Sequence, residues 1–428
     1  MISAVDTKAW FWQVWLATVV FVFPIPHTIA LRNLLLVLGG IVLLSTCRKS
    51  LPKPAPWLKP AAWSLSALTA WIVFHSVALA PAPTLALDQL RANWVVPLLL
   101  GAVAAWAAVQ LPRERAAQAM TVALAAHMVW LLAWQFNSWL LSDAWPFKLT
   151  PFGSYDFQGT LNSFLLALLL ADRLAWTLGK YSPLALGLRP GWALLLLSLS
   201  ADIGLQSRNS TIISLFLLLA ASLVLSSARS RHWRSVVAGI GLVSMLGVAS
   251  LSFDSRWQGL RESAAAGWSS GSTYWMTGDA GTRPGTASGA VLEESAYARV
   301  AWARQAVDFI ADHPVGIGFG HDAFGRAVAM KYNHAGMGSS HSGWLDFALG
   351  TGLAGLALLL ATAGIAIRSG WREFRERNNA QALLLVFLVG GYTLRCLFDG
   401  HLSGWRLGLF AFVVGVLIAG MKNPWTES

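Results

Sequence analysis

Charged residues are scarce in this sequence of 428 residues, which has only 12% Asp, Glu, Lys and Arg against 56% hydrophobic residues. A soluble protein of this length cannot bury so much apolar surface, so the composition excludes an ordinary soluble domain. Cysteine is scarce too, and the two residues present, Cys47 and Cys396, cannot build a disulfide framework. Tryptophan is abundant, with 23 residues, and indole rings favour the interface between membrane and water. We therefore predict an all-α, polytopic integral membrane protein.

Metal-binding motifs are also missing. The sequence contains neither D-x-D nor H-E-x-x-H, and its two cysteines do not form a cluster. Four histidines between residues 313 and 341 lack the spacing of metal ligands: His313, His321, His334 and His341. We therefore predict a site that holds no metal ion and needs no cofactor.

Apolar runs of about 20 residues are the signal of transmembrane helices. Twelve such runs predict spans at residues 9–25, 28–46, 61–80, 93–110, 117–140, 158–178, 190–205, 209–227, 235–252, 341–364, 379–398 and 404–421. This pattern divides the chain into residues 1–252 with spans one to nine, a long loop of residues 253–340, and residues 341–428 with spans ten to twelve.

Basic residues alternate between the loops. The loops after spans two, four, six, eight and ten hold sixteen Lys and Arg, whereas the alternate side holds six: Arg32, Arg91, Lys148, Arg208, Arg395 and Arg406. Because Lys and Arg are enriched in cytoplasmic loops, we predict both termini in the cytoplasm and the long loop outside. The loop itself has seven basic and eight acidic residues, so the net charge of +11 is cytoplasmic and does not form a nucleic-acid-binding face.

The long loop contains one segment with helical periodicity. Apolar residues recur at helical spacing from Tyr297 to Ile310, and Glu293 and Glu294 stand where a helix dipole favours negative charge. Pro314 and three glycines follow and end the pattern. We predict an amphipathic helix over residues 295–312 that lies on the outer face of the bundle.

Ionisable residues near lipid cost free energy and mark candidate functional sites. Several of them stand at the outer ends of the predicted spans and predict a polar cavity that opens outward: Asp88, Arg91, Asp202, Arg208, Asp346, Arg395, Asp399, His341 and His401.

Each principal candidate has two interpretations. Arg208 either reaches lipid headgroups or binds an anion beside a helix N-terminus, where free N–H groups already favour negative charge. Arg299, with Trp302 one turn later, either belongs to a solvated helix face or binds substrate. His341 either makes a local hydrogen bond or faces the cavity, since neighbouring serines can already cap its helix.

Three stretches carry a resemblance to a known family: SRNSTIISLFLLL, then ARVAWARQAVDFIADHPVGIGFG, then HSGWLDFALGTGLAGLALLL. In this order and spacing, over about residues 195–360, the sequence resembles the O-antigen ligase and polymerase superfamily. The shared pattern is an arginine at a span start, an Arg-x-x-Trp loop helix closing on His-Pro-x-Gly-x-Gly, and a histidine at a later span start. Ser342 departs from the pattern, because many relatives have asparagine after the histidine.

The resemblance implies glycosyl transfer at the periplasmic face of the bacterial inner membrane. The donor would be an O-antigen polysaccharide on undecaprenyl pyrophosphate, and in the ligase branch the acceptor would be a sugar hydroxyl of lipid A–core. The predicted partners are therefore these two glycolipids and membrane lipids, with no nucleic acid. The alternatives are an O-antigen polymerase that uses the same donor and a transporter of lipid-linked glycans.

The chemistry of such a transfer assigns roles to the candidates. Arginine matches phosphate geometry with a planar fork, so Arg208 and Arg299 are predicted to stabilise the departing diphosphate, with Arg91 as a helper. His341 is predicted to take the proton of the acceptor hydroxyl, kept neutral by nearby arginines. Direct attack by the acceptor would invert the anomeric centre. We predict that Trp302, Asp346 and Arg395 contact substrate, as does Arg91. Asp346 either orients the imidazole or pairs with Arg395.

Overall fold

The computed structural model describes residues 4–46, 55–151, 155–228, 259–269, 271–289 and 291–421, together with residues 237, 241, 244, 245 and 248. These residues form helices, turns and loops, and no β-strand occurs among them. The prediction of an all-α, polytopic membrane protein is therefore confirmed.

The α-helices are α1 Ala4–Val22, α2 Ile29–Thr46, α3 Lys59–Phe74, α4 Pro83–Leu90, α5 Val96–Ala108, α6 Arg113–Ser142, α7 Tyr155–Thr177, α8 Leu188–Leu205, α9 Arg208–Ala228, α10 Leu260–Ser269, α11 Tyr274–Thr277, α12 Glu294–Asp312, α13 Ala323–Tyr332, α14 Gly343–Arg377, α15 Ala380–Phe398 and α16 Gly404–Gly420. A 3₁₀ turn, Pro56–Leu58, precedes α3, and π-helical turns follow α3 and α4 at His75–Leu79 and Arg91–Val95.

Seven helical stretches in the described ranges are long and apolar enough to cross a membrane: Pro56–Leu79, Pro83–Ala108, Glu114–Ser142, Leu188–Leu205, Arg208–Ser226, Gly343–Arg377 and Ala380–Phe398. Each coincides with a span predicted from the sequence. Two shorter apolar helices, Ile29–Ser45 and Gly404–Gly420, coincide with two more, and α1 and α7 lie at a further two. The predicted ninth span, residues 235–252, lies outside the described residues except for five isolated positions.

Helix α7 lies at the centre of the bundle, where it packs against α6, α8, α9 and α15. Its side chains are buried without interruption from Gln158 to Ala175, so its polar residues face protein and not lipid. Asn162 shows how they are satisfied: its Nδ2 donates to the Ser198 carbonyl oxygen at 2.9 Å and to Asp202 Oδ1 at 2.8 Å. Hydrogen bonds of this kind offset the cost of polar groups at membrane depth.

The predicted amphipathic helix is confirmed, since α12 covers Glu294–Asp312. Glu293 caps it, because its carboxylate accepts the Ala296 N–H at 2.6 Å and so satisfies a free donor of the first turn. The apolar face of α12 packs into a cluster with α11, α13 and the first turns of α14, formed by residues such as Trp275, Tyr297, Phe309, Phe324 and Leu349. This cluster seats the outer segment on the bundle.

The glycine-rich segment after α12 packs backbone to backbone on α14. Three hydrogen bonds join them: Ile317 N–H to Leu349 O at 2.9 Å, Gly318 N–H to Gly350 O at 3.1 Å, and Leu353 N–H to Pro314 O at 3.0 Å. Gly352 interrupts the helix with φ 77° and ψ 172°, which frees the backbone groups that the segment uses. The glycines of the motif therefore serve close approach of two backbones.

Substitution of Gly316 by alanine should destabilise this seat. A Cβ atom would lie 2.5 Å from the Gly352 nitrogen, and φ is +95° at Gly316, so steric overlap and backbone strain act together. We expect the free energy of unfolding to fall by about 2 kcal/mol or more, measured by thermal unfolding of the solubilised protein. Gly364→Ala on α14 is the matched control, because nothing lies within 4 Å of its Cβ position. Equal melting temperatures for the two variants would contradict this account.

Candidate active site

The site lies where α7, α9 and α16 begin and α15 ends, beside α12. Arg208, the first residue of α9, reaches the start of α12, where its Nη2 donates to Glu293 Oε1 at 2.8 Å and to Ser295 Oγ at 2.5 Å. Burial raises the pKa of Glu293, but hydrogen bonds from Arg208 and from the Ala296 N–H outweigh it and hold the pKa below its ordinary value. Arg208 is thus held by a carboxylate at the mouth of the bundle.

Arg299 joins the same point from the next turn of α12. Its Nη1 donates to Asn209 Oδ1 at 2.9 Å, directly beside Arg208 in sequence. Asn209 Nδ2 in turn donates to Asp399 Oδ2 at 3.1 Å and to the Phe398 carbonyl oxygen at 3.2 Å. Helix α12 is therefore linked through one asparagine to the start of α9 and the end of α15.

His341 meets α12 at Trp302. The two rings are stacked, with centroids 4.9 Å apart and planes 16° from parallel. The indole is itself fixed, since Trp302 Nε1 donates to the Trp275 carbonyl oxygen at 3.0 Å. His341 has a φ of 58°, a left-handed conformation that side chains other than glycine seldom adopt. The backbone is therefore constrained to present an exposed imidazole on the tryptophan face.

The surroundings of His341 keep its ring neutral. Partial desolvation lowers its pKa first, and the positive charge of Arg299 lowers it further, with Arg406 adding to the same effect. Asp399 and Asp156 act in the opposite direction but do not cancel the shift. A neutral imidazole has a lone pair with which to accept a proton, as the role predicted from the sequence requires.

Asp346 makes neither of the two contacts that the sequence led us to expect. Its Oδ1 accepts the backbone N–H of Ser340 at 2.9 Å, and the residue is buried. Asp346 therefore holds the turn that carries His341, while the ion pair of Arg395 is made with Asp399, whose Oδ2 lies 3.7 Å from Arg395 Nη2. This arrangement orients the backbone beside the imidazole and not the ring itself.

Arg395 is sealed inside the bundle with an exposure of 0%, although the sequence predicted that it contacts substrate. Its side chain donates to the Gly159 carbonyl oxygen, Ser163 Oγ, Ser210 Oγ and His401 Nε2 at 2.9 to 3.2 Å. A guanidinium enclosed in this way fixes the ends of α7, α9 and α15 against each other. Direct contact with a substrate would require it to leave these partners.

Arg91 stands apart from the other predicted residues. It is exposed at the first position of the π-helical turn Arg91–Val95. Within the described ranges, no hydrogen bond or ion pair connects it to Arg208, Arg299 or His341. Its helix does reach the site, because Asn93 Oδ1 accepts the Gly404 N–H at 2.8 Å.

Two charged residues of the site were not among the sequence candidates: Asp156 in the first turn of α7 and Arg406 in the first turn of α16. The charge of Arg406 acts on Asp156, His341, Arg395 and His401, which places it in the same cluster. Their position in the sequence could have identified them as candidates, because each stands at the end of a predicted span beside an aromatic residue, Phe157 or Trp405. From its position in the sequence, Arg406 was predicted only as a cation of a loop.

A metal ion has no evident ligand set in the part of the chain that the structure describes. No group of three or more His, Cys, Asp or Glu side chains arranged to hold an ion occurs there. The side chains that converge are instead arginines and the carboxylates near them, with amides, hydroxyls and one exposed imidazole. Such a set can bind a phosphate-bearing ligand and accept a proton.

Comparison with known proteins agrees with this chemistry. Residues 193–360 match the family model described as O-antigen ligase, and this range contains Arg208, Arg299, Trp302, His341 and Asp346, whereas Arg91 and Arg395 lie outside it. A search of curated proteins finds no match. Apolar helices and the matched domain together describe an integral membrane protein of glycosyl-transfer type. Over residues 193–360, the chain is therefore similar to the O-antigen ligase family.

Proposed function

We propose that this protein is a lipopolysaccharide O-antigen ligase of the bacterial inner membrane. It transfers a polysaccharide from undecaprenyl pyrophosphate to a sugar hydroxyl of lipid A–core, on the periplasmic side, with both of its termini in the cytoplasm. The transfer is direct, inverts the anomeric centre and uses no metal ion. The family match supports the reaction type, and the reaction's details rest on the site.

One observation carries the proposal: α12 brings two arginines and the histidine to one place. Arg299 contacts Asn209 beside Arg208, and Trp302, one turn further along α12, stacks on His341. The start of α9, helix α12 and the turn before α14 are far apart in the chain. Together they supply the anion-binding arginines and the base of the proposed reaction. A transfer from a diphosphate to a hydroxyl needs both functions within reach of one anomeric carbon.

The arginines stabilise the leaving group. As the bond to the sugar breaks, negative charge grows on the diphosphate, and arginine forks bind phosphate oxygens through charge-assisted hydrogen bonds. Arg208 forms an ion pair with Glu293, and we infer that the donor phosphate takes the place of that carboxylate. Asn209 keeps Arg299 oriented while this exchange takes place.

An apolar cavity supports a lipid-linked donor. It has a volume of about 400 Å³ and lies among α3, α5, α14, α15 and α16, with Trp94, Trp344, Tyr392 and Phe410 in its wall. The cavity and the charged cluster share α15 and α16. Cys396, Leu402 and Leu407 line the cavity, and each directly follows in the sequence a residue of the cluster: Arg395, His401 and Arg406. We assign it to the part of the isoprenoid chain nearest the diphosphate.

Deletion and reconstitution test the proposal. Deletion of the gene from its host should leave undecaprenyl-linked polymer of unchanged length distribution and an uncapped core. Purified protein should transfer lipid-linked glycan to lipid A–core. Loss of polymer with single-unit caps would identify a polymerase instead, and movement of glycolipid between leaflets without transfer would identify a transporter.

Chelator should leave the reaction unchanged. The groups predicted to stabilise charge are Arg208 and Arg299, which need no metal ion. We expect the same initial rate of transfer by purified protein with and without excess chelator after metal-free preparation. A loss of rate that added divalent cation restores would disprove metal-independent catalysis.

The pH profile reports the state of His341. A base acts in its neutral form, so the rate falls as pH drops through its pKa, and this acid limb should lie below the ordinary histidine value of about 6.5. Arg299→Gln removes a cation that lowers this pKa, so the limb of the residual activity should move to higher pH. Arg304→Gln on the same helix should leave the limb in place, because Arg304 contacts the Trp268 carbonyl oxygen. A wild-type limb at or above 6.5 would contradict the assigned environment.

A further inference from the structure

The arginines of the site differ in how much of their hydrogen-bonding capacity is used. Arg395 is fully buried and donates to four protein groups through Nε and Nη1, while its Nη2 makes no hydrogen bond and lies 3.7 Å from Asp399 Oδ2. Arg208 is paired with Glu293. Arg299 has Asn209 as a partner. A diphosphate has two anionic groups, so two arginines near one phosphate leave the second without an evident partner.

Arg406 leaves the largest part of its hydrogen-bonding capacity unused. It makes no hydrogen bond or ion pair with the described residues, and its Nε, like Arg395 Nη2, is buried without a partner. Buried donors without partners are rare in folded proteins, because each forfeits a bond to water. Arg406 lies beside a polar site, so its unpaired Nε–H indicates that a bound ligand supplies the hydrogen-bond acceptor.

Aromatic rings hold Arg406 in place. Phe157 of α7 and Trp405 of α16 are stacked with centroids 4.7 Å apart and planes 6° from parallel. The guanidinium carbon of Arg406 lies 5.3 Å from the Phe157 ring centroid and 5.4 Å from that of Trp405. Cation–π contacts fix a guanidinium without consuming its N–H groups, which leaves them available for an anion.

The position of Arg406 fits such a ligand. Phe157 precedes the turn of α7 in which Gly159 O accepts from Arg395 and Thr160 Oγ1 lies 2.7 Å from His401 Nε2. Four arginines of this cluster (Arg208, Arg299, Arg395 and Arg406) face four carboxylates (Asp156, Asp202, Glu293 and Asp399) in the described part of the chain. Arg208 and Arg395 form ion pairs and Arg299 donates to Asn209, whereas Arg406 has no such partner among these residues and is therefore available to an added anion.

We propose that Arg406, held by Phe157 and Trp405, binds one phosphate of the lipid diphosphate while Arg208 and Arg299 bind the other. This inference rests on the proposed donor and adds a residue outside the range of the family match. It predicts that the site distinguishes a diphosphate from a monophosphate, and that Arg406 is the source of that preference.

Binding measurements on the detergent-solubilised full-length protein test it. The probes are farnesyl diphosphate, farnesyl monophosphate and inorganic pyrophosphate, titrated by calorimetry. The wild-type protein should bind the lipid diphosphate most tightly, and Arg406→Gln should weaken that binding roughly 10- to 100-fold while changing monophosphate binding little. Arg32→Gln is the matched control, because Arg32 also lies near a helix start with its guanidinium 4.8 Å from an aromatic centroid, that of Phe23.

The outcomes separate this inference from the proposed function. If the wild-type protein binds the diphosphate and Arg406→Gln binds it equally well, only the role of Arg406 is wrong. If the wild-type protein binds neither lipid phosphate, the proposed donor is wrong. Pyrophosphate binding as tight as that of the lipid diphosphate would show a free-anion site and would also overturn the proposal. Should Arg406→Gln fail to fold, Arg406→Lys retains the charge, and an undiminished preference for diphosphate in that variant overturns the inference.

Discussion

Replacement of His341 by alanine should abolish glycan transfer while the protein still inserts and folds. A positioned general base contributes about 10²- to 10⁴-fold to a rate, and none of the other described groups that we place at the site offers a neutral imidazole at the α12 face. In cells, the variant should give core without polymer on a lipopolysaccharide gel, with undecaprenyl-linked polymer accumulating. Normal smooth lipopolysaccharide from this variant would remove His341 from the mechanism.

The backbone at His341 calls for a second variant. Its φ of 58° is strained for alanine, so lost activity in His341→Ala has two sources, an absent base and a shifted turn. Asparagine tolerates the left-handed region better, and His341→Asn should therefore keep the turn while still losing transfer. His321→Ala is the matched control, because His321 is an exposed histidine whose Nδ1 lies 3.0 Å from Gln89 Oε1. It should retain full activity.

Arg299→Lys should reduce the rate of transfer by about 10²- to 10³-fold, the effect of removing one oriented donor from a developing anion. Lysine keeps the charge, but its ammonium cannot contact Asn209 and a phosphate with a planar fork as arginine does. We expect kcat to fall more than the affinity for donor, because charge on the diphosphate grows in the transition state. The measurement is steady-state transfer by purified variants.

Arg304→Lys is the control for Arg299→Lys. Both arginines lie on α12, but the Arg304 guanidinium donates to the Trp268 carbonyl oxygen and not to a group of the site. The control separates loss of the site's geometry from a general weakening of the helix. Equal rates for wild type, Arg299→Lys and Arg304→Lys would show that Arg299 is structural. Arg208→Lys should resemble Arg299→Lys, since Arg208 also presents a fork that a carboxylate occupies.

The periodicity of apolar residues and the signals at its two ends were sufficient to predict helix α12 from the sequence. Apolar spacing, the acidic start at Glu293 and Glu294, and the break at Pro314 predicted residues 295–312, and α12 covers Glu294–Asp312. These are local properties of the chain, because capping and helix-breaking residues act within one turn. Hydrophobic runs located the spans for the same reason: the length of apolar chain needed to cross a bilayer is read without knowledge of the neighbours.

These local signals could not predict which side chains contact each other. Asp346 was expected to contact either the imidazole or Arg395, yet its carboxylate accepts the Ser340 N–H. Arg395 was expected to contact substrate, yet four protein groups enclose it. In each case the choice depends on which residues the helices bring within 3 Å, and hydropathy places a residue along a span without specifying its neighbours.

The amino-acid sequence by itself determined that this chain is a helical membrane protein, where most of its spans lie, and that its outer segment contains a helix with an arginine and a tryptophan one turn apart. It determined so much because burial in lipid and helix capping depend on residues close together in the chain. Only the tertiary structure decided that Trp302 stacks on His341, that Arg299 contacts Asn209, and that Arg406 is held between two helices with free donors. These contacts join segments far apart in the chain, and the packing of α7, α9, α12 and α16 sets the distances between them.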